Sequence, residues 1–127
     1  MCHRVLVTGS RTWVWAPDIR RALDELRYQF DDLAVVHGAC PRGADAIADA
    51  WCRQYGVPVE RYPADWARGR GAGLARNTVM VGSRPDRCLA FIHNGSPGAS
   101  FCADLAERSG IPTYRFARSD GGLKGEG

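Results

Sequence analysis

The feature that most constrains this fold is the apolar run Cys88-Leu89-Ala90-Phe91-Ile92, which is broken at once by His93-Asn94-Gly95-Ser96-Pro97-Gly98. Five apolar residues without a polar alternate suit a strand covered on both faces, and such strands belong to parallel sheets. The residues from Ala99 to Arg108 that follow are compatible with a helix. A strand, a turn rich in Gly and Ser, and a helix direct several backbone N–H groups at one small volume. The helix N-terminus adds about half a positive charge there. The combination reads as an anion site, with phosphate the best match; an ordinary strand–loop–helix connection uses the same residue types.

The same alternation recurs along the chain. Arg4-Val5-Leu6-Val7 forms a strand closed by Thr8-Gly9-Ser10, and Asp18 to Phe30 carries Ile19, Leu23, Leu26 and Phe30 at helical spacing behind Pro17. Leu33 to Val36 is a second strand, stopped by His37-Gly38. Ala44 to Tyr55 places Ile47, Ala48, Trp51 and Tyr55 on one helical face, and Gly56 ends it. Pro58 to Tyr62 reads as a third strand, Asp65 to Gly73 as a loop, Leu74 to Val81 as a helix, and Thr113 to Phe116 as a last strand. The expectation is a single α/β domain over residues 1–118, an open sheet that is central and parallel with helices on both faces. Residues 119–127 read as a flexible Gly-rich tail. Val5, Leu6, Val7, Val35, Val36, Leu89, Phe91 and Ile92 are the expected core of the sheet.

Length and composition narrow the classes. The chain has 127 residues, of which 45% are hydrophobic, enough for one packed core and too few for two. No apolar run nears the roughly 20 residues of a membrane span, and the N-terminal segment lacks a secretory signal, so the expected location is cytoplasmic. The five cysteines form no CxxC pair, which argues against a disulfide framework or a zinc site; no metal is expected. Net charge is +3, too mild to require a nucleic acid. The basic residues are almost all Arg, with Lys124 the only Lys, and Arg is the better bidentate phosphate ligand.

Ligands of open parallel sheets sit beyond the carboxyl ends of the strands, where strand order reverses. That rule selects four loops. The first offers Gly9-Ser10-Arg11, with a close backbone approach, a hydroxyl and a guanidinium; it matches neither GxGxxG nor GxxxxGK[ST]. The second offers Gly38, Arg42, Gly43 and Asp45. Asp45 in a first helical turn also has a purely structural use against the helix dipole, worth about 0.3–1 kcal/mol. The third offers Asp65 for ribose hydroxyls, Trp66 for stacking on a base, and Arg76 and Asn77 on the following helix. The fourth offers Gly95, Ser96, Gly98, Ala99 and Ser100. Trp51, by its helical position, reads as core.

The ordered set GSR, HG…RGAD, ADW, AGLARN and AF…GSPGAS resembles the YspA-related branch of the SLOG superfamily, from about Val5 to Phe116. That superfamily also includes the Lonely-Guy phosphoribohydrolases and the DNA-processing protein family. The resemblance implies a Rossmann-like domain for a nucleotide or nucleotide-derived ligand, with no other cofactor, and a homodimer. In Lonely-Guy enzymes an Arg and a Pro-Gly-Gly-x-Gly-Thr-x-Glu loop act on a nucleoside monophosphate. Arg76 corresponds to that Arg, Gly95 to Ala99 is similar to the glycine loop with Ala99 in place of Thr, and Phe101 falls about where the catalytic Glu would be. Three readings follow. The first is binding or sensing of an ADP-ribose, NAD or nucleoside phosphate ligand. The second is cleavage of an N-glycosidic or phosphoribosyl bond with Asp45, Asp65 or Arg76 as catalytic candidates. The third, less favoured, is nucleic-acid binding through Arg61, Arg68, Arg70 and Arg76 with Tyr62 and Trp66 interleaved.

Overall fold

The computed structural model describes residues 2–120. Its elements are β1 (His3–Gly9), α1 (Ala16–Gln29), β2 (Leu33–His37), α2 (Ala44–Tyr55), β3 (Val59–Arg61), a 3₁₀ turn at Trp66–Arg68, α3 (Ala72–Gly82), β4 (Arg87–His93), α4 (Pro97–Arg108) and β5 (Thr113–Arg118). The five strands form one sheet in the order β3-β2-β1-β4-β5, and every pairing is parallel. The chain builds outward from β1 to β3, then returns to the other side of β1 for β4 and β5. Strand order therefore reverses between β1 and β4, which places a crevice at their carboxyl ends.

Side chains alternate across each strand with period two. Val5 and Val7 of β1, Val35 of β2, and Leu89 and Phe91 of β4 face α1 and α2, where Ile19, Leu23, Ala48 and Trp51 cover them. Leu6, Val36 and Cys88 point the other way, against Met80 and Val81 of α3 and Cys102 and Ala106 of α4. All eight residues expected in the core of the sheet are buried.

Element ends follow local chemistry, and several shift from expectation: α1 begins at Ala16 rather than Asp18, α3 at Ala72 rather than Leu74, and β3 keeps only Val59–Arg61. α4 begins at Pro97, two residues earlier than the apolar pattern suggests, because proline's missing N–H and fixed φ suit the first helical position. Gly98 and Ala99 thus belong to the helix's first turn rather than to the loop. β5 runs on to Arg118, paired with β4 as far as His93. Asp120, which the sequence assigns to the tail, donates its main-chain N–H to Asn94 Oδ1 at 2.9 Å. The rest of the expected tail, residues 121–127, lies outside the described residues. No described helix is long and apolar enough to cross a membrane.

Candidate functional site

The crevice between β1 and β4 opens into a cavity of about 400 Å³. Its floor is the end of β1 and the turn after it, its walls are the first turn of α4 and the N-terminal half of α3, and the β2 loop closes one side. Four loops and three helices reach one place only because the parallel strands all end on the same edge.

The turn after β1 is clasped to β4. The Ser10 N–H donates to the Phe91 carbonyl at 2.9 Å, and Ser10 Oγ accepts the His93 N–H at 2.8 Å. Ser10 is buried by these bonds, so its hydroxyl serves first to hold the turn. Gly9 and Gly43 allow close contact here. A Cβ on Gly9 would come within 2.8 Å of the Phe91 carbonyl, and one on Gly43 within 2.6 Å of Arg11 Cα. Gly43 also has φ +77°, which disfavours any side chain. It caps α2 and shapes the turn without lining the cavity.

Arg76 divides this cavity from a second of about 530 Å³. Its Nε donates to Asn77 Oδ1 at 2.8 Å, and Nη1 donates to the Gly38 and Tyr62 carbonyls. Nη2 has no protein partner among the described residues. A Cβ on Gly38 would lie 2.7 Å from Arg76 Cζ, so glycine is what lets the guanidinium cross the end of β2. Arg76 therefore ties the β2 loop and the segment after β3 to α3, a structural task the sequence did not show. Asn77, buried beside it, donates from Nδ2 to the Gly98 carbonyl at 3.4 Å and so links α3 to α4.

Asp45 lies on the cavity wall in the first turn of α2 and accepts the Cys40 N–H at 3.2 Å. It is 7% exposed. Burial pushes its carboxyl above the ordinary range, against the opposing pull of His37, the Cys40 and Gly38 N–H groups and Arg76. Behind it, His37 Nδ1 accepts the Ala39 N–H at 2.9 Å, which makes Nε2 the donor to Asp49 at 2.8 Å. Arg61 donates to the same carboxylate at 2.7 Å and holds Asp49 below its ordinary range. This network braces the β2 loop from outside.

The sequence candidates separate in space. Gly9, Ser10, Arg11, Gly38, Asp45, Trp66, Arg76, Asn77, Ser96, Gly98 and Ala99 line the first cavity. Asp65 does not; it lines the second, with Arg61, Tyr62 and Arg68. Arg42 borders a shallow depression beside Arg11, Cys40 and Trp66. Gly95 sits in the exposed turn with φ +63°, and Ser100 lies off the cavity. Trp66 is half exposed, with the Arg11 guanidinium 5.0 Å from its ring; Trp51 is buried and donates Nε1–H to Asp24 at 2.8 Å. Cys40, in the loop that the sequence places near the ligand, also lines the first cavity, as do Thr8, Thr12, Gly73, Leu74 and Met80, which the sequence does not single out, and Arg70, which it offers only to nucleic acid. Among these, a hydroxyl directly after Gly9-Ser10-Arg11 was a signal available in the sequence.

None of Arg11, Arg42, Arg70 and Arg76 forms an ion pair with a carboxylate among the described residues. Arg4, Arg53, Arg61, Arg115 and Arg118 all do. Of these, Arg11, Arg70 and Arg76 line the first cavity, which is therefore bordered by guanidinium groups that no carboxylate among the described residues neutralises. Among the described residues no cluster of three or more His, Cys, Asp or Glu side chains could hold a metal ion.

A family model for the YspA, cpYpsA-related SLOG family matches residues 3–69. The Gene 61 protein of Mycobacterium phage D29 is 45% identical over 121 residues, covering 90% of this chain and 96% of that protein. No solved structure gives a significant match. The family match spans β1 to the loop after β3, while the phage relative covers most of the chain.

Proposed function

This chain belongs to the YspA, cpYpsA-related SLOG family, and from that premise we propose that it binds a nucleotide-derived small molecule at the carboxyl edge of its sheet. The ligand class is ADP-ribose, NAD or a nucleoside phosphate. One observation carries the reading: Arg11, Arg70 and Arg76, none of them ion-paired among the described residues, meet the first turn of α4 around one cavity at the strand-order reversal. The α4 cap residue Ser96 makes no side-chain cap bond, so the N–H groups of Gly98 and Ala99 are available to a phosphate. Trp66 at the rim offers a face on which a base can stack. Isothermal calorimetry with ADP-ribose, NAD and AMP tests this, alongside native mass spectrometry of the purified chain. Saturable binding of at least one of them, weakened by Arg70→Ala, is expected; no binding of any of the three overturns the reading.

A second reading is kept by Asp45 alone. A carboxyl buried on the cavity wall, its hold on a proton strengthened by that burial, has the character of a general acid. It would protonate a leaving base as an N-glycosidic bond breaks. The position that resembles the catalytic Glu of the Lonely-Guy enzymes is Phe101, which neither stabilises an oxocarbenium-like centre nor positions water. Little release of free base from AMP, NAD or ADP-ribose is therefore expected. Turnover near 1 s⁻¹, about the low end for ordinary enzymes, that Asp45→Asn removes would promote the hydrolase. Asp65→Asn, in the neighbouring cavity, is the control.

A further inference from the structure

Thr12 Oγ1 lies 2.6 Å from His93 Nδ1, and His93 Nε2 lies 2.9 Å from Asp120 Oδ1. We propose that these three residues form a hydroxyl–imidazole–carboxylate relay, and that Thr12 is a nucleophile toward carboxylic esters at the rim of the β1–β4 cavity. The ionised Asp120 carboxylate only accepts, so Nε2 carries the ring proton and Nδ1 is left as an acceptor. The Thr12 hydroxyl then donates to Nδ1. Thr12 itself is exposed and lines the cavity.

Each member is held in place. Asp120 is fixed through Asn94, which receives its N–H at 2.9 Å and donates to its Oδ2 at 3.3 Å. The His93 ring meets the Trp15 indole edge to face at 5.0 Å, and its side chain is only 10% exposed. The His93 main-chain N–H is bonded to Ser10, so the strand that carries the base and the turn that carries the hydroxyl are one rigid piece. A hydroxyl that merely closed a turn would find a backbone carbonyl. Here it meets a ring nitrogen whose opposite nitrogen faces a carboxylate, and it opens on a cavity.

The chemistry balances with water as the only co-reactant. Oγ1 attacks the acyl carbon as its proton passes to Nδ1. Asp120 stabilises the imidazolium. The ester C–O bond breaks and the departing alkoxide takes the proton back from Nδ1. Water, deprotonated by Nδ1, then attacks the acyl-threonine, releasing the carboxylic acid and restoring the hydroxyl. Arg11 and Arg70 would receive an anionic alcohol portion, which makes an acyl ester of a phosphorylated sugar or nucleotide the matching substrate class. Only this last assignment rests on the ligand reading above; the relay itself does not.

The test uses the full chain and a fluorophosphonate, an electrophile without a nucleotide, so that failure of the relay is separate from failure of nucleotide binding. Oγ1 displaces fluoride from phosphorus, and HF is released. A single adduct mapped to Thr12 by peptide mass spectrometry is expected. It should be absent in Thr12→Val, retained in Thr12→Ser, and formed at least about 100-fold more slowly in His93→Gln, the low end for loss of a general base. p-Nitrophenyl acetate should give a burst of nitrophenolate that Thr12→Val removes. No adduct at Thr12 in the wild type, or an unchanged labelling rate in a folded His93→Gln, overturns the proposal. If His93→Gln does not fold, the exposed Thr12→Val substitution decides.

Discussion

The two faces of the sheet are built from different materials. Against α1 and α2 the core is bulky: Trp13, Ile19, Leu23, Trp51 and Phe91 are all buried, with Trp13 edge-on to Phe91 at 5.4 Å and Phe91 stacked on Phe116 at 4.6 Å. Against α3 and α4 the buried residues of α4 are small: Ala99, Cys102, Ala103 and Ala106. Burial holds the Cys102 thiol up at about 11 and pushes Cys88 upward as well, so both are protonated space-fillers at neutral pH. Large aromatics supply most of the apolar surface that stabilises the domain. Small residues let α4 lie close to β4 and β1, where its first turn reaches the crevice, and the Asn77–Gly98 link joins α3 to it. One face anchors the fold, and the other brings the site together.

The largest expected effect lies on the bulky face. Trp51→Ala should cost about 3–5 kcal/mol of stability, the range for deleting a buried aromatic. It also leaves Asp24 without the indole donor. Cys102→Ala on the other face, a loss of one small group, should cost about 1 kcal/mol. Urea unfolding followed by circular dichroism measures both, and equal costs would erase the distinction between the faces.

Next come the arginines. Arg76→Ala should weaken a phosphorylated ligand by about 1.5–3 kcal/mol, the range for charge-assisted hydrogen bonds, and the dephosphorylated form much less. Because Arg76 also holds the Gly38 and Tyr62 carbonyls, it should lower the melting temperature too. Arg70→Ala, which breaks no such bond, should weaken the phosphorylated ligand without moving the melting temperature. Calorimetry and thermal unfolding on both variants separate charge from scaffold; equal losses for both ligand forms would show that Arg76 holds no phosphate.

The smallest effect concerns Asp45, where the bulky-face helix α2 touches the site. Its carboxyl is raised in the folded state, so the folded chain holds that proton more tightly than the unfolded one. Stability from this group is full below the ordinary carboxyl range and falls as pH rises through it toward the folded value. Asp45→Asn should therefore raise the melting temperature slightly at pH 7. The gain should vanish in acid, where both forms are neutral. A gain that persisted unchanged at low pH would show that burial of the charge is not the cause.

Much of this was legible in the residues. The apolar runs at Val5–Val7, Val35–Val36 and Leu89–Ile92 are strands buried on both faces, and Gly56 ends α2 in a left-handed cap as glycine there suggests. The rule that ligands gather where strand order reverses selected residues from all four loops that line the first cavity. Asp65 departed from that set for a geometric reason. It follows β3, at the sheet's edge and two strands from the β1–β4 crevice. Its loop starts away from the crevice and turns toward it from the next residue on, so that Trp66, Arg70, Arg76 and Asn77 line the first cavity while Asp65 is left in the second.

The chain's own periodicity and turn residues thus determined which segments are strands and helices, and that these form a parallel sheet. That information is local: period-two and helical spacing, proline at a helix start, glycine at a helix end. What only the tertiary structure decided are the pairings between residues far apart in sequence. Arg76 spans from α3 to the end of β2, and Thr12, His93 and Asp120 meet from three separate segments. The parallel register that sets His93 beside Arg118 brings Asp120 to the imidazole. Backbone hydrogen bonding across the sheet fixes that register, and no spacing along the chain encodes it.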